Sequence, residues 1–441
     1  MTNKEASEYI EYLKGFGVTP GLATIKELCR RLDHPQDKLK FVHIAGTNGK
    51  GSVLNFIATI LKVSGYRTGR FFSPAISEYR ERIQINNRMI SKNDFCRYLD
   101  IIKKAANDMV ADGFNHPTSF EIDTALSFRY FADQNCDIVI LETGMGGTFD
   151  ATNIIKNTLV AVITPVAMDH ADYLGRTLIE IAGHKAGIIK AGATVVTGKQ
   201  SDDVHGVIRE KCEECGCRPL FVSPLCGLSR IRKGKVDLKN LSFKQCFTYD
   251  GCDLEISLAG EHQIMNAVTA FDVVKLLAGQ GFPVHEKNIR KGLREAVWPG
   301  RFQLIARNPP FIIDGAHNAD AALKLAATLK MYFTNKRIIY IMGVLRDKNY
   351  QEIITGTYEL AEHIITITPP DSRALSGYEL ALAAAQKHPK VTSADSILEA
   401  CELAVLLAGK DGIVVAFGSL TFLESVNEWL TKAKLKQQSS F

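Results

Sequence analysis

The chain reads as an α/β protein of two domains. Three observations predict this class. Helix and strand patterns alternate through most of the 441 residues, as they do where crossover helices join parallel strands. A buried strand pattern, a Gly-rich loop and a helix pattern follow one another over residues 41–61, the layout of a phosphate-binding loop. After Trp298-Pro299-Gly300 a second α/β series begins, with about 140 residues, the size of a Rossmann-like domain. The expected architecture is a P-loop domain over 1–297, with a mostly parallel sheet and a small antiparallel β subregion, then a Rossmann-like domain over 298–441.

Residues 4–33 carry two helical patterns broken by Thr19-Pro20-Gly21, a turn sequence. The apolar residues from Phe41 to Ala45 read as a buried strand, and Val53 to Leu61 has helical character. Helical signals recur at 92–112 and 119–134, and short apolar strands at Cys136 to Leu141 and Leu159 to Thr164. A helix over 177–189 precedes a strand from Thr194 to Gly198. Residues 218–259 change character, with alternating apolar residues such as Leu254-Glu255-Ile256-Ser257-Leu258 that predict antiparallel strands. A helix over 263–279 leads to the hinge at 298–300. The second series then predicts strands at 310–313, 337–343, 363–367 and 412–416, helices at 319–333, 350–361, 376–386 and 395–408, and a last helix.

Hydrophobic residues make up 46% of the chain, enough for a sizeable core. The net charge is +5, from 53 basic and 48 acidic residues. That balance and the lack of a basic block argue against a nucleic-acid partner. No apolar run is long enough to span a bilayer, and the opening MTNKEASEYIEYL is polar and amphipathic rather than a secretory signal. A cytoplasmic enzyme without a membrane partner is expected. The ten cysteines form no disulfide framework. Cys212, Cys215 and Cys217, with Cys226 nearby, suggest either a zinc site or a cysteine-bearing helix end and turn; the lack of a paired knuckle or histidine partner favours the turn.

The chemistry concentrates where strands end, the place open α/β sheets bind ligands. In HIAGTNGKGS (43–52), backbone N–H groups and a helix N-terminus can surround a phosphate while Lys50 adds charge. It departs from the strict pattern, because the first motif glycine falls on Ile44 and Gly51 separates Lys50 from Ser52. Ser73, after Phe71-Phe72, fits a metal ligand or a turn cap. Glu142 stands at the end of a buried strand before a Gly-rich loop, where a carboxylate can hold Mg²⁺ beside nucleotide phosphates. His170, in Asp169-His170, fits a ligand, a base or a hydrogen-bonded loop residue. Lys185, in HKAGIIK, is either solvated or buried beside the metal site. FIIDGAHN (311–318) repeats the strand–turn–helix layout in the second domain, with Asp314 at a strand end and His317 and Asn318 opening a helix. A second substrate is expected there, across a domain cleft.

The pieces VTPGLATI, HIAGTNGKGS, SPAISEYRERIQIN, TSFEIDTALSF, LETGMGGTFDATN, MDHADYLG, HKAGIIKAG, GEHQIMNA, WPGRF and DGAHN, in this order, resemble the folylpolyglutamate synthase/dihydrofolate synthase family of Mur-type amide ligases over nearly the whole chain. The resemblance implies that ATP phosphorylates an acceptor carboxylate and that the amino group of L-glutamate attacks the acyl phosphate. It implies a central-type ATP-binding domain over 1–297 and a glutamate-ligase domain over 298–441. It implies that Gly46, Thr47, Asn48, Gly49, Lys50, Gly51 and Ser52 bind ATP with Asn266, Arg301 and Asp314. Ser73, Glu142 and His170 would be the metal ligands, for two Mg²⁺ sites. Lys185 matches a lysine carbamylated in many members, and catalytic roles fall to Lys50, Lys185, His170 and His317. The loops at Pro20-Gly21, Thr118 to Glu121 and Thr148 to Asp150 would meet the folate or dihydropteroate, with Phe120 and Phe149 offering aromatic faces to the pterin. A monomer acting on small molecules is expected.

The chain departs from the family pattern at Ala75, Thr148, His184 and Gln303, where histidine, arginine, glutamate and an acid are usual. Many bacterial members both make dihydrofolate and extend tails, and the same pair of reactions is expected here, with tail extension alone as the alternative. A ligase for cell-wall muropeptides is disfavoured by GTNGKGS in place of GTNGKTT and by the lack of a UDP-binding domain before it. A nucleotide-dependent switch is disfavoured by DGAHN in a second α/β domain.

Overall fold

The computed structural model describes every residue except 18–20, 218, 222–226 and 439–441. Thr19, Pro20 and Cys226, singled out in the sequence, lie outside the described residues. The chain divides into two compact units, one of residues 1–226 and 265–293, the other of 227–264 and 294–441.

The first unit holds an eight-stranded sheet. Its strands are β1 (Phe41–Ala45), β2 (Thr68–Phe71), β3 (Ile83–Ile85), β4 (Arg88–Met89), β5 (Ile138–Glu142), β6 (Thr158–Ile163), β7 (Thr194–Thr197) and β8 (Pro219–Phe221). They lie in the order β4-β3-β2-β5-β1-β6-β7-β8. From β2 to β8 every pairing is parallel, and β3 and β4 add an antiparallel edge. β1 and β5 are buried on both faces, which is why they are apolar throughout except for the buried His43 and Glu142. Helices α1 (Asn3–Leu13), α2 (Ala23–Arg31), α3 (Lys50–Val63), α4 (Lys92–Ala111) and α5 (Ser119–Asp133) come before β5. After β6 come the one-turn α6 (Ala171–Leu174), then α7 (Leu178–Ala186) and α8 (Asp202–Glu214). One apolar cluster joins α1, α2, α4 and α5 to Phe71, Val139 and Leu141. Another joins α7 and α8 to Ala161, Ile163 and Val195. From β1 the chain turns to β2 on one side, while β6 lies on the other. The crevice at such a switch point opens at the carboxyl end of β1.

Two expectations change here. The helix expected over 177–189 ends at Ala186. Pro219–Phe221, expected in an antiparallel region, pairs parallel with β7. Only β9 (Ser229–Asp237), β10 (Ser242–Tyr249) and β11 (Cys252–Ile256) form the antiparallel sheet. That sheet groups with the second unit. Phe243 supplies a reason, its ring lying 5.2 Å from Phe302 and 5.0 Å from Tyr332 in the second unit's core. Helix α9 (Glu261–Ala278) follows, the chain returning to the first unit at Met265, and α10 (Glu286–Glu295) completes it.

The second unit's main sheet contains β12 (Gln303–Arg307), β13 (Pro310–Ile313), β14 (Ile338–Met342), β15 (His363–Thr366), β16 (Val391–Ser393) and β17 (Ile413–Phe417). Their order is β12-β13-β17-β14-β15-β16. All pairings are parallel except that of β12 with β13. Helices α11 (Ala319–Tyr332), α12 (Tyr350–Thr357), α13 (Gly377–Ala385), α14 (Ile397–Ala408) and α15 (Leu423–Gln438) accompany it. β12 and β16 were not expected from the sequence. β12 is an antiparallel edge strand, and β16 is three half-buried residues, too short to show a period. Among the described residues no helix is long and apolar enough to cross a membrane.

Candidate active site

The phosphate-type loop leaves β1 at Ala45 and enters α3 at Lys50. Its glycines are dictated by contact and by backbone angle. A Cβ on Gly46 would lie 1.8 Å from Thr164 Oγ1 and 2.8 Å from the Thr164 carbonyl oxygen. Gly49, the N-cap of α3, has φ 93°, and a Cβ there would lie 2.6 Å from the Asn266 side-chain oxygen. Asn266 is thus buried against the loop. The N–H groups of Thr47 and Asn48 donate to the Pro165 carbonyl at 3.0 and 3.3 Å. The Thr47 hydroxyl donates to Ala167 O at 2.9 Å. The loop is therefore held before any ligand arrives, while the first N–H groups of α3 lack helical partners and favour an anion. Gly46→Ala should push the loop off Thr164 at a cost of about 1–3 kcal/mol, read as a lower Tm in thermal unfolding. An unchanged Tm would mean that the loop has room to yield.

Two lysines meet at this loop. Lys50 Nζ folds back to donate to Gly46 O at 3.1 Å and Thr47 O at 3.2 Å. Lys185 Nζ, from the end of α7, donates to the same Gly46 oxygen at 2.8 Å. Lys185 is buried. Burial, and then the charge of Lys50, pull its amine down to about 7, against the opposing pull of Asp169 and Asp150. Glu142, buried at the end of β5, lies 3.9 Å from Lys50 Nζ. The structure thus brings together Gly46 through Ser52, Lys50, Lys185, Glu142 and Asn266, from segments far apart in sequence. Asp169 is the group that sequence reasoning missed as a site residue. Its neighbour His170 drew the attention, and only the fold sets the Asp169 charge beside Lys185.

Other candidates are placed less centrally or are occupied locally. His170 is half-buried with φ 52°, and its ring nitrogen is 3.9 Å from Asp169. Ser73 is half-buried just beyond β2. Thr118 and Glu121 form the capping box of α5. Glu121 N–H donates to Thr118 Oγ1 at 3.3 Å, and Thr118 N–H donates back to the Glu121 carboxylate at 2.8 Å. Burial pushes the Glu121 carboxyl up. Asp150 is buried and accepts from Met145 N–H at 2.8 Å, Thr152 N–H at 3.0 Å and Thr152 Oγ1 at 2.5 Å. Burial raises its carboxyl in spite of these donors. These three side chains thus brace the loops on which they sit. Phe120 rests on Phe71 at 5.7 Å and closes over Gly144. Phe149 is exposed, 6.2 Å from the His184 ring. Thr148 N–H donates to His184 O at 2.8 Å, which ties the Gly-rich loop to the end of α7.

In the second unit, Asp314 follows β13 and accepts from Phe302 N–H at 2.7 Å and Ala316 N–H at 2.8 Å. Burial raises its carboxyl, opposed chiefly by the Arg301 charge. Arg301 passes over Gly315 so closely that a Cβ there would lie 2.0 Å from its Nη1. His317 Nδ1 is 2.7 Å from Gly315 O, and Asn318 caps α11 by accepting from Ala321 N–H at 2.9 Å. Gln303, where an acid is usual, accepts from Gly300 N–H at 2.9 Å. Asp314 and His317 therefore share one turn, and the Arg301 side chain reaches over it.

The Mur ligase middle domain matches residues 44–274, and the Mur ligase glutamate ligase domain matches 300–420. A Bacillus subtilis protein named dihydrofolate synthase/folylpolyglutamate synthase is 35% identical over 432 residues, covering 97% of this chain and 99% of its own. A Mycobacterium tuberculosis folylpolyglutamate synthase complexed with ADP aligns with a TM-score of 0.88 at 28% identity, over 97% of each chain. An E. coli structure of FolC in complex with DHPP and ADP aligns with a TM-score of 0.84 at 26% identity, over 97% of this chain and 98% of that one.

Proposed function

Because the chain belongs to the folylpolyglutamate synthase/dihydrofolate synthase family of Mur ligases, we propose that it joins L-glutamate to dihydropteroate and also extends the glutamyl tail of folates. It is an ATP-dependent amide ligase acting on small molecules. The observation that best supports the site assignment is the meeting of Lys50 and Lys185 on the Gly46 carbonyl.

In this reading the phosphates lie against the loop from Gly46 to Ser52 and the start of α3. Lys50 steadies the phosphoryl group as it passes to the acceptor carboxylate. Asn266 takes the adenine side, and Arg301 and Asp314 take further ATP contacts. The glutamate amine then attacks the acyl carbon, a C–N bond forms, and phosphate leaves with the C–O electron pair. Catalysis of this kind is mostly positioning and charge stabilisation. His317 serves the glutamate or the transferred phosphate, while Phe120, Phe149 and Thr148 face the pterin side.

Mg²⁺ takes hard oxygen donors and keeps several waters, so one or two carboxylates and the phosphates suffice without an all-protein cage. The buried Glu142 carboxylate and the Ser73 hydroxyl have that chemistry, and among the described residues no ready cage of three His, Cys, Asp or Glu side chains competes. We assign Glu142, Ser73 and His170 to this ion, which when bound offsets the repulsion between triphosphate and carboxylate. A carbamylated Lys185 would serve a second ion. Its amine is pulled down to about 7, so a large neutral fraction exists at neutral pH. Carbamylation joins that neutral nitrogen to CO₂ and releases a proton. A cytoplasmic monomer without nucleic-acid or membrane partners fits the near-balanced charge of +5.

The test is glutamate-dependent phosphate release from ATP, with dihydropteroate and tetrahydrofolate as parallel acceptors. Turnover with both is expected. Turnover with tetrahydrofolate alone would restrict the enzyme to tail extension. Turnover with neither would overturn the substrate assignment and direct attention to Ala75, Thr148 and His184.

A further inference from the structure

The cysteine-rich end of α8 takes no part in the chemistry above. Gly216 has φ 67° and its N–H donates to Glu213 O at 3.1 Å. Cys217 N–H reaches back to Cys212 O at 2.6 Å. Together these bonds make a Schellman closure, a turn that frequently packs the side chains of its first and last residues together. Here both of those residues are cysteines. Cys212 is buried, Cys217 is half-buried, and both are free thiols. They belong to one apolar cluster with Ile188 and Ile189. Cys217 Sγ donates to Lys190 O at 3.0 Å, just beyond the helix that carries Lys185. Among the described residues no metal-holding group of side chains forms here.

We propose that Cys212 and Cys217 are a modification site, a dithiol that closes reversibly to a disulfide by exchange with a low-molecular-weight disulfide. The more exposed Cys217, as thiolate, attacks one sulfur of the reagent and expels one thiol. Cys212 then loses its proton and attacks the Cys217 sulfur, releasing the second thiol. Two protein thiols are oxidised and one reagent disulfide is reduced to two thiols. Burial raises both protein thiols, Cys212 to about 12, so the exchange is slow near neutrality. The disulfide sulfur carries no hydrogen, so the bond from Cys217 to Lys190 O is lost. Lys190 Nζ holds Asn153 O at 3.3 Å, and the Asn153 amide holds Thr148 O at 3.1 Å and Gly187 O at 3.0 Å. Oxidation therefore bears on the turn behind Lys185.

The experiment incubates the full chain with oxidised glutathione, quenches by alkylation and maps the thiols by fragment-ion mass spectrometry. The expected result is a loss of two hydrogens, with Cys212 and Cys217 protected, Cys215 alkylated, and full reversal by dithiothreitol. Cys217→Ser should abolish the bridge, and Cys226→Ser should leave it intact. If Cys217→Ser fails to fold, the wild-type and Cys226→Ser maps decide alone. A bridge through Cys215 or Cys226, a lasting glutathione adduct, or unchanged thiols would overturn the proposal. The readout is independent of which substrate the enzyme uses.

Discussion

Lys50→Ala is expected to lower kcat for glutamate-dependent phosphate release by roughly 10²–10³-fold, the usual loss when one preorganised charge donor is removed from a transition state. Folding should survive. Lys50 is the first residue of α3, and its Nζ bonds to carbonyls of its own loop and pairs with Glu142. Alanine is a good helix former at that position. Near-wild-type Tm with a collapsed kcat is therefore the expected pair of results. Glu142→Ala should give a similar loss, because it removes a buried oxygen donor and leaves Lys50 without its carboxylate. Wild-type turnover in either variant would sink the assignment of this loop.

The second large effect is expected at Lys185. Lys185→Ala should abolish turnover, and acetate or another short carboxylate should restore part of it by supplying the oxygen donors a carbamate would provide. An alanine variant as active as wild type would remove Lys185 from the mechanism. The unmodified lysine also has a signature in stability. Its folded amine lies at about 7 against an ordinary 10.5. Below pH 7 the lysine is protonated in both states, and its buried charge destabilises the fold in full. Between those values the unfolded chain binds a proton that the folded chain has released, so stability rises with pH. Lys185→Met should flatten that rise, which totals roughly a few kcal/mol. Urea unfolding at pH 6.5 and pH 9.5, in buffer stripped of CO₂, measures it. Equal slopes in the two proteins would show that Lys185 does not titrate as its burial implies.

Much of this molecule can be read directly from its residues. The apolar residues at 41–45, the glycines after them and Lys50 specify a strand, a tight turn and a charged helix start. These are short-range requirements of backbone angle and period. The DGAHN turn is local in its caps, since Asn318 accepts from Ala321 N–H and Asp314 from Ala316 N–H, although Asp314 also reaches Phe302 N–H twelve residues before it. Helices α4, α5 and α11 follow from periodicity over long segments. β12 and β16 escape, because β12 is an antiparallel edge strand with polar ends and β16 is three half-buried residues without a period.

The tertiary structure decided the rest. Thr118, Glu121 and Asp150 are polar residues beside motif loops, and their sequence positions do not reveal whether the side chains face a ligand or cap a helix and turn. In the folded chain their hydrogen bonds cap α5 and brace the Gly-rich turn. The grouping of residues 227–264 with the second unit depends on where the Phe243 ring finds apolar neighbours. The meeting of Lys185 with Gly46 spans 139 residues. Local sequence sets the backbone because its rules act within a turn or two. The state of Lys185 was beyond it, since a lysine's charge depends on the water it loses and the charges it meets, and both are fixed only when distant segments pack together.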